Sequence, residues 1–143
     1  MENDVRKLLH NHTLTRNLAP GELEDLARRT VRRSYPRDSY IFRESQPRRA
    51  FGILISGQVA IRKGLRGLPT VLTQLGPRDS YGEGALLHEY PHSTSALVVE
   101  DVEALEFPRE QMEALLADHP QVYAKLAVGA AQIIASRLRS ANQ

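Results

Sequence analysis

Apolar residues recur at helical spacing near both ends of the chain. Near the N-terminus this spacing predicts a short helix within residues 1–18 and a second helix that begins at Pro20 and ends near Arg29. Towards the C-terminus it predicts one helix that begins at Pro108 and a longer one over residues 121–141. The apolar positions that define these helices are Val5, Leu8, Leu9, Leu23, Leu26, Met112, Leu115, Leu116, Val122, Leu126, Ala130, Ile133 or Ile134, and Leu138.

The middle of the chain, from Val31 to Phe107, has a different pattern. Apolar and polar residues alternate over short stretches, and glycine, proline or aspartate separates each stretch from the next. Such alternation is typical of half-buried strands, and many short antiparallel strands in succession predict a jelly roll or barrel. The predicted strands are residues 31–35, 40–43, 51–56, 58–63, 70–75, 95–100 and 102–107, with turns at Gly57 and Asp101 among others.

These patterns together predict an α+β protein, an antiparallel β-roll (jelly roll) flanked by N-terminal helices and two C-terminal helices. A chain of 143 residues is long enough for one domain with a substantial core. We expect the N-terminal helices over residues 1–30, the β-roll over residues 31–107 and the C-terminal helices over residues 108–143.

Composition and charge exclude several kinds of chemistry. The chain has no cysteine, so a disulfide framework, a thiolate metal site and a cysteine nucleophile are not available. The formal net charge is only +2, which gives little support to nucleic-acid binding. The sequence lacks an apolar stretch of bilayer length and the apolar core of a signal peptide. We therefore predict a soluble cytoplasmic protein that does not insert into a membrane.

The long C-terminal helix has apolar residues on more than one side. One stripe suffices to pack the helix against the roll, but Val128 and Ala131 lie on the other side. A second apolar surface predicts a partner helix, either in a homodimer or in docking to another domain. The alternative is a helix that is simply rich in alanine.

The segment Tyr81 to Leu87 is the clearest candidate for ligand binding. Gly82 and Gly84 allow the backbone to approach a ligand closely. A glycine turn before a short helix presents backbone N–H groups to an anion. Glu83 adds an acceptor for a hydroxyl group beside that anion.

The order of helices, roll, glycine turn and trailing helices resembles the cyclic-nucleotide-binding domain of the catabolite-activator and protein-kinase-A regulatory family. Residues 55–59 (ISGQV) look like the hairpin of that family with its turn glycine. Residues 75–87 look like its phosphate-binding cassette, and residues 107–109 look like the start of its first trailing helix. The resemblance covers nearly the whole chain and implies a cyclic nucleotide, cAMP or cGMP, as the ligand.

The resemblance also implies a role for individual residues of the segment. Glu83, beside Gly82, would accept a hydrogen bond from the ribose 2′-hydroxyl. Backbone N–H groups near Gly84 and Ala85 would contact the cyclic phosphate, and Ser93 would add a further contact to it.

The chain departs from the family at the position of its phosphate-binding arginine. In the family this arginine follows the proline of the cassette, but here His92 follows Pro91. Arginine is permanently charged and donates two parallel hydrogen bonds to phosphate, whereas a neutral histidine donates at most one. Losing a hydrogen bond to a charged group costs about 1.5–3 kcal/mol. Protonation of His92 on anion binding would compensate for part of this loss.

Three further positions differ from the family at its turns. Asp38 and Ser45 each stand where the family usually has the glycine of a Gly-acid pair, and Arg78 stands where a glycine is common. The fold can accommodate these changes, but they indicate either relaxed selection on the pocket or a different ligand, such as a cyclic dinucleotide.

A competing motif, H-E-x-x-H, occurs at residues 88–92. In zinc hydrolases this motif requires both histidines on one face of a helix. Here Pro91 interrupts the segment, at a cost of about 3 kcal/mol inside a helix. The remaining histidines have no partners for a catalytic dyad or triad. We therefore expect a loop without a metal, no cofactor and no enzymatic activity.

Two functions remain open from the sequence. The first is a sensory or regulatory domain in which a cyclic nucleotide repositions the C-terminal helices. The second is a degenerate, ligand-independent scaffold for dimerisation or protein–protein interaction. Transcription factors of the family carry a helix-turn-helix after the long helix, and the chain ends at Gln143 before one could fit. We therefore expect no DNA binding by this chain.

Overall fold

The computed structural model describes residues 3–64 and 68–141, and it has the predicted α+β architecture. Within these residues all four predicted helices form, and the roll contains six strands. The helices are α1 (Asn3–His10), α2 (Pro20–Arg28), α3 (Arg109–Asp118) and α4 (Pro120–Ala141), with 3₁₀ turns at Thr13–Thr15 and Glu83–Leu86. The strands are β1 (Val31–Tyr35), β2 (Tyr40–Phe42), β3 (Ala50–Lys63), β4 (Thr70–Leu75), β5 (Ser80–Tyr81) and β6 (Ser95–Pro108).

Two long antiparallel strands, β3 and β6, form the centre of the roll. They pair from Ala50 opposite Pro108 to Arg62 opposite Ser95. Strands β1 and β2 pair with β6, and strands β4 and β5 pair with β3. Strand β5 is followed by Gly82 and then by the 3₁₀ turn Glu83–Leu86, which we call the cassette turn.

The predicted chain reversals at Gly57 and Asp101 are wrong. Both residues lie inside continuous strands, β3 and β6, whose register shifts three times between Leu54 and Val59. Gly57 has φ +98°, and a Cβ atom there would lie 2.3 Å from the carbonyl oxygen of Asp101. Glycine is required at this position because β6 approaches β3 too closely for a side chain, not because the chain turns.

Three non-glycine residues adopt left-handed backbone conformations at the turns of the roll. Asp38, Ser45 and Arg78 have φ of 71°, 73° and 75°. Each is the third residue of a four-residue turn that is closed by a backbone hydrogen bond of 3.0 or 3.1 Å. These are the three positions at which the sequence departs from the family's glycines. The turns therefore keep the geometry of glycine, at a cost of about 1 kcal/mol for each residue.

The described part of the chain buries its apolar side chains in two clusters. One packs the helices against one end of the roll, where the rings of Phe51 and Phe107 stack with centroids 4.5 Å apart. The other fills the interior of the roll around Leu54 and Val98. Most of the predicted helical core is buried, but Leu116 and Leu138, which were predicted to belong to it, are 48% and 62% exposed. The buried helical residues are Val5, Leu8, Leu9, Leu26, Met112, Leu115, Val122, Leu126 and Ala130.

Helix α4 has one buried and one exposed apolar surface. Leu126 and Ala130 are fully buried, whereas Val128 and Leu138 are 50% and 62% exposed. Lys125 also binds Glu22 of α2 at 2.7 Å, which fixes the first half of the helix against the N-terminal helices. Among the described residues, none of the helices combines the length and the apolar character that crossing a bilayer requires.

Candidate functional site

The cassette turn begins from a glycine in the left-handed conformation. Gly82 has φ +70° and precedes the turn directly, so the chain leaves β5 sharply and enters a single 3₁₀ turn. The N–H of Ala85 donates to the carbonyl of Gly82 at 3.1 Å, and that of Leu87 donates to Gly84 at 2.9 Å. The short helical segment expected from the sequence is therefore one turn long.

A cavity of about 320 Å³ lies between the cassette turn, the roll and the last turns of α4. Five of the six predicted site residues line it: Gly82, Glu83, Gly84, His92 and Ser93. The sixth, Ala85, lines a neighbouring groove instead. Folding therefore brings the two halves of the predicted site, residues 82–84 and 92–93, to one cavity.

Glu83 is buried and bound to α4 by one carboxylate oxygen. Its side chain accepts a hydrogen bond from Arg137 through Oε1 at 2.5 Å, and Arg137 also donates to the carbonyl of Ser80 at 2.6 Å. The other oxygen, Oε2, is buried without a hydrogen-bond partner among the described residues. A buried acceptor without a donor is costly, so this oxygen favours a ligand that supplies a hydroxyl or N–H group.

A second hydrogen bond ties α4 to the other end of the cassette turn. The hydroxyl of Tyr123 donates to the carbonyl of Leu86 at 2.9 Å. With the ion pair of Arg137 and Glu83, the helix contacts both ends of the turn. The position of α4 and the conformation of the cassette turn are therefore linked.

His92 is packed as a neutral aromatic ring. It is 5% exposed and stacks on Phe42, with ring centroids 3.8 Å apart and planes 10° apart. Burial lowers its pKa to about 4, and the positive charges of Arg48 and Arg49 contribute to the shift. His92 is therefore uncharged near neutral pH in this structure, and the protonation on anion binding that the sequence suggested would have to overcome this shift.

We expect the burial of His92 to make the protein less stable in acid. Its pKa of about 4 in the folded state lies below the ordinary value of 6.5, so the unfolded state binds the proton more readily. The stabilisation is complete above about pH 6.5 and is lost as the pH falls towards 4, by about 2–3 kcal/mol. Urea unfolding between about pH 7 and pH 4.5 measures this loss.

A His92→Phe variant serves as the control, because phenylalanine can stack on Phe42 but cannot titrate. Its free energy of unfolding should depend less on pH than that of the wild type. Burial also lowers the pKa of His12, which accounts for a smaller residual dependence in the variant. An identical pH dependence in both proteins would contradict the assignment to His92.

Two residues of the site, Arg48 and Arg137, were missed by sequence reasoning. The Nε of Arg48 donates to the carbonyl of Tyr90 at 2.9 Å and its Nη1 donates to that of Gly82 at 3.2 Å. Both arginines line the cavity. Neither lies in the cassette segment, and arginine on a loop or a helix surface is too common to be informative. The only sequence feature that could have indicated Arg137 is its position three residues after Ile134, which places both side chains on one face of α4.

The H-E-x-x-H segment does not have the geometry of a metal site. Residues 88–92 form a loop without helical structure. His88 is exposed, whereas His92 is buried against Phe42. In the part of the chain that the structure describes, no group of three or more potential metal ligands is close enough to hold an ion.

Comparison with known proteins identifies relatives that share this architecture. A family model described as cyclic nucleotide-binding domain matches residues 32–119. The Cyclic AMP receptor protein of Thermus thermophilus is 37% identical over 130 residues, which are 90% of this chain and 58% of that protein. The CRP-like cAMP-activated global transcriptional regulator of Mycobacterium tuberculosis is 28% identical over 137 residues, which are 95% of this chain and 59% of that protein.

A solved structure confirms the fold independently of close sequence similarity. The cyclic nucleotide-binding domain from Methylobacillus flagellatus superposes with a TM-score of 0.83 at 19% identity, covering 96% of this chain and 78% of that chain. The family match covers more than half of the chain, and the Thermus relative is more than 30% identical over nine-tenths of it. The chain therefore belongs to the cyclic-nucleotide-binding domain family.

Proposed function

We propose that the chain is a regulatory domain that binds a cyclic nucleotide, cAMP or cGMP, in the 320 Å³ cavity. The observation that carries this proposal is the buried Oε2 of Glu83, which has no hydrogen-bond partner among the described residues. Glu83 lines the cavity at the position that the family resemblance assigns to the ribose 2′-hydroxyl. A hydroxyl donor there would satisfy the orphaned oxygen and offset its desolvation.

Ligand binding would be coupled to α4 through the same carboxylate. Glu83 Oε1 binds Arg137, while Oε2 remains for the ribose. Ile134 and Arg137 of α4 also line the cavity, so a bound base would contact the helix directly. The ligand therefore favours one position of the last turns of α4, which is a population shift driven by differential contacts.

The names of the relatives support the ligand class and a regulatory role. The Thermus relative is described as a cyclic AMP receptor protein, and the Mycobacterium relative as a cAMP-activated transcriptional regulator. The chain spans 58–59% of the length of these two relatives. From these relatives we extend nucleotide binding and a regulatory role to this chain, but not DNA binding. The exposed surface of α4 around Val128 and Leu138 would contact a second copy or another domain.

Calorimetric titration with cAMP and with cGMP tests the proposal. We expect saturable binding of at least one of them, and a higher melting temperature in its presence because the ligand binds only the folded state. The open-chain nucleotide 5′-AMP is the control and should bind more weakly, since it lacks the cyclic phosphate. No heat and no thermal stabilisation at millimolar cyclic nucleotide would refute the proposal.

A second candidate function is a ligand-independent scaffold. It is favoured by the ion pair between Glu83 and Arg137, which holds α4 on the cassette turn using only side chains of this chain. In that case the exposed residues of α4 would be the functional surface. The same titration separates the two functions, because a scaffold would not respond to either cyclic nucleotide.

A further inference from the structure

The cavity lacks the cation expected for phosphate at position 92. His92 is buried, stacked on Phe42, and neutral near pH 7. Ser93 lines the cavity but carries no charge. A cyclic phosphate bound beside Glu83 would bring a second negative charge into the cavity, so another group must supply the positive charge.

Arg48 and Arg137 both line the cavity. Arg137 is already bound to Glu83 and to the carbonyl of Ser80, so half-buried Arg48 is the better candidate. It lies between β2 and β3, and its guanidinium bridges two backbone carbonyls on either side of the cassette turn, those of Gly82 and Tyr90. A guanidinium has five N–H donors, and these two bonds use two of them, which leaves three. Its Nη2 lies 3.5 Å from the position of a Cβ on Gly84, directly beside the turn.

Arg48 forms no ion pair in the part of the chain that the structure describes: burial lowers its pKa, and the more distant charge of Glu83 offsets only part of that shift. Its two hydrogen bonds go to neutral carbonyls, and no carboxylate lies within ion-pair distance of it. The adjacent Arg49 differs, because it pairs with buried Glu106 at 3.4 Å. Holding an unpaired guanidinium half-buried is unfavourable unless an anion joins it, so the geometry favours an anionic group at this point.

We infer that Arg48 binds the phosphate of the cyclic nucleotide and replaces the arginine that the family carries at position 92. This inference rests on the proposed function. The two carbonyl bonds hold the guanidinium in place before the ligand arrives, so little side-chain freedom is lost on binding. Arg48 comes from a different loop than position 92, yet both residues line the same cavity.

Replacing Arg48 with glutamine tests the inference. Calorimetry should show about ten- to 150-fold weaker binding of the cyclic nucleotide, the range expected for one hydrogen-bonded charge contact. Arg43→Gln is the matched control, because Arg43 is exposed and lies over the ring of Tyr40 at 4.0 Å; its affinity should stay within about twofold of wild type. Thermal unfolding of each variant checks that the fold is kept.

A second substitution, His92→Arg, separates a direct role from a structural one. It should tighten binding in the wild type, and by a larger factor in the Arg48→Gln protein, because there it replaces the guanidinium that Arg48 would otherwise supply to the phosphate. An equal factor in both backgrounds would show that the two positions act independently and would overturn the inference. An unchanged affinity of Arg48→Gln, measured where the wild type binds clearly, would also overturn the inference. Absence of wild-type binding would instead refute the proposed function and the inference together.

Discussion

Replacing Glu106 with alanine is expected to lower the free energy of unfolding by about 3–5 kcal/mol, because two tyrosine hydroxyls lose their acceptor at a cost of about 1–3 kcal/mol each. Glu106 lies on β6 and is 1% exposed. Its Oε2 accepts hydrogen bonds from the hydroxyls of Tyr35 at 2.6 Å and Tyr81 at 2.7 Å. Its Oε1 is bound by Arg33 at 3.1 Å and Arg49 at 3.4 Å. The substitution would leave all four partners without their common acceptor.

The effect is large because the network joins several strands at a buried point. Burial, together with the charge and the hydrogen bond of Glu106, raises the pKa of Tyr81, so its hydroxyl stays protonated and must donate. Without the carboxylate that donor has no replacement in a packed interior, which is the costly case for a polar group. A loss of this size is a large part of the stability of a typical domain, about 5–15 kcal/mol.

Urea unfolding of Glu106→Ala and Glu103→Ala compares the two environments. Glu103 lies on the same strand and pairs with Arg32 at 2.9 Å, but its side chain is 49% exposed. Its replacement should cost less than about 1 kcal/mol, as for other exposed ion pairs. Glu106→Gln, which keeps one acceptor oxygen, should fall between them. Equal losses for the two alanine variants would contradict the role assigned to the network.

Replacing Glu83 with alanine is expected to weaken cyclic nucleotide binding by about ten- to 150-fold and to loosen the end of α4. The carboxylate is the proposed acceptor of the ribose hydroxyl and is also the partner of Arg137. Amide hydrogen exchange in residues 133–141 should become faster, because the last turns of the helix lose their contact with the cassette turn. Glu89→Ala is the control, since the Glu89 side chain is 90% exposed beside the same segment.

Arg137→Ala separates the two roles of Glu83. It should accelerate exchange in α4 as much as Glu83→Ala does, but it should weaken binding less, because Oε2 is not the oxygen that Arg137 uses. Unchanged exchange in Arg137→Ala would show that the ion pair does not hold the helix. Full retention of affinity in Glu83→Ala would show that the carboxylate does not bind the ligand.

The elements of this fold were predictable where the local pattern is strong. Strands β1 and β4 lie at the predicted residues 31–35 and 70–75, and α4 begins one residue earlier than predicted. The pattern failed at Gly57 and Asp101, because a glycine that permits a close approach and a glycine that permits a turn look the same in a sequence. Only the pairing of β3 with β6 distinguishes them.

Three turns of the roll have a non-glycine residue in the left-handed conformation, and residue type alone does not reveal this. The residue types at positions 38, 45 and 78 say little about a left-handed backbone. Arginine at position 78 gives no indication of it, and aspartate and serine at positions 38 and 45 give only a weak one. These positions were singled out because the family usually has glycine there, and they are the non-glycine residues with positive φ among the described residues. In this chain each of the three turns is closed by its backbone hydrogen bond without a glycine at the third position.

The cassette turn and its glycines follow from neighbouring residues, so the chain order alone located them. The electrostatics of the site could not be obtained in this way. Arg48 reaches Gly82 across 34 residues of sequence, and Arg137 reaches Glu83 across 54. Such contacts depend on where the β2–β3 loop and the end of α4 pack. The low pKa that keeps His92 neutral likewise depends on its burial in the folded protein. The local backbone of the candidate site therefore follows from the spacing of residues in the sequence, whereas folding alone brings its charged side chains together.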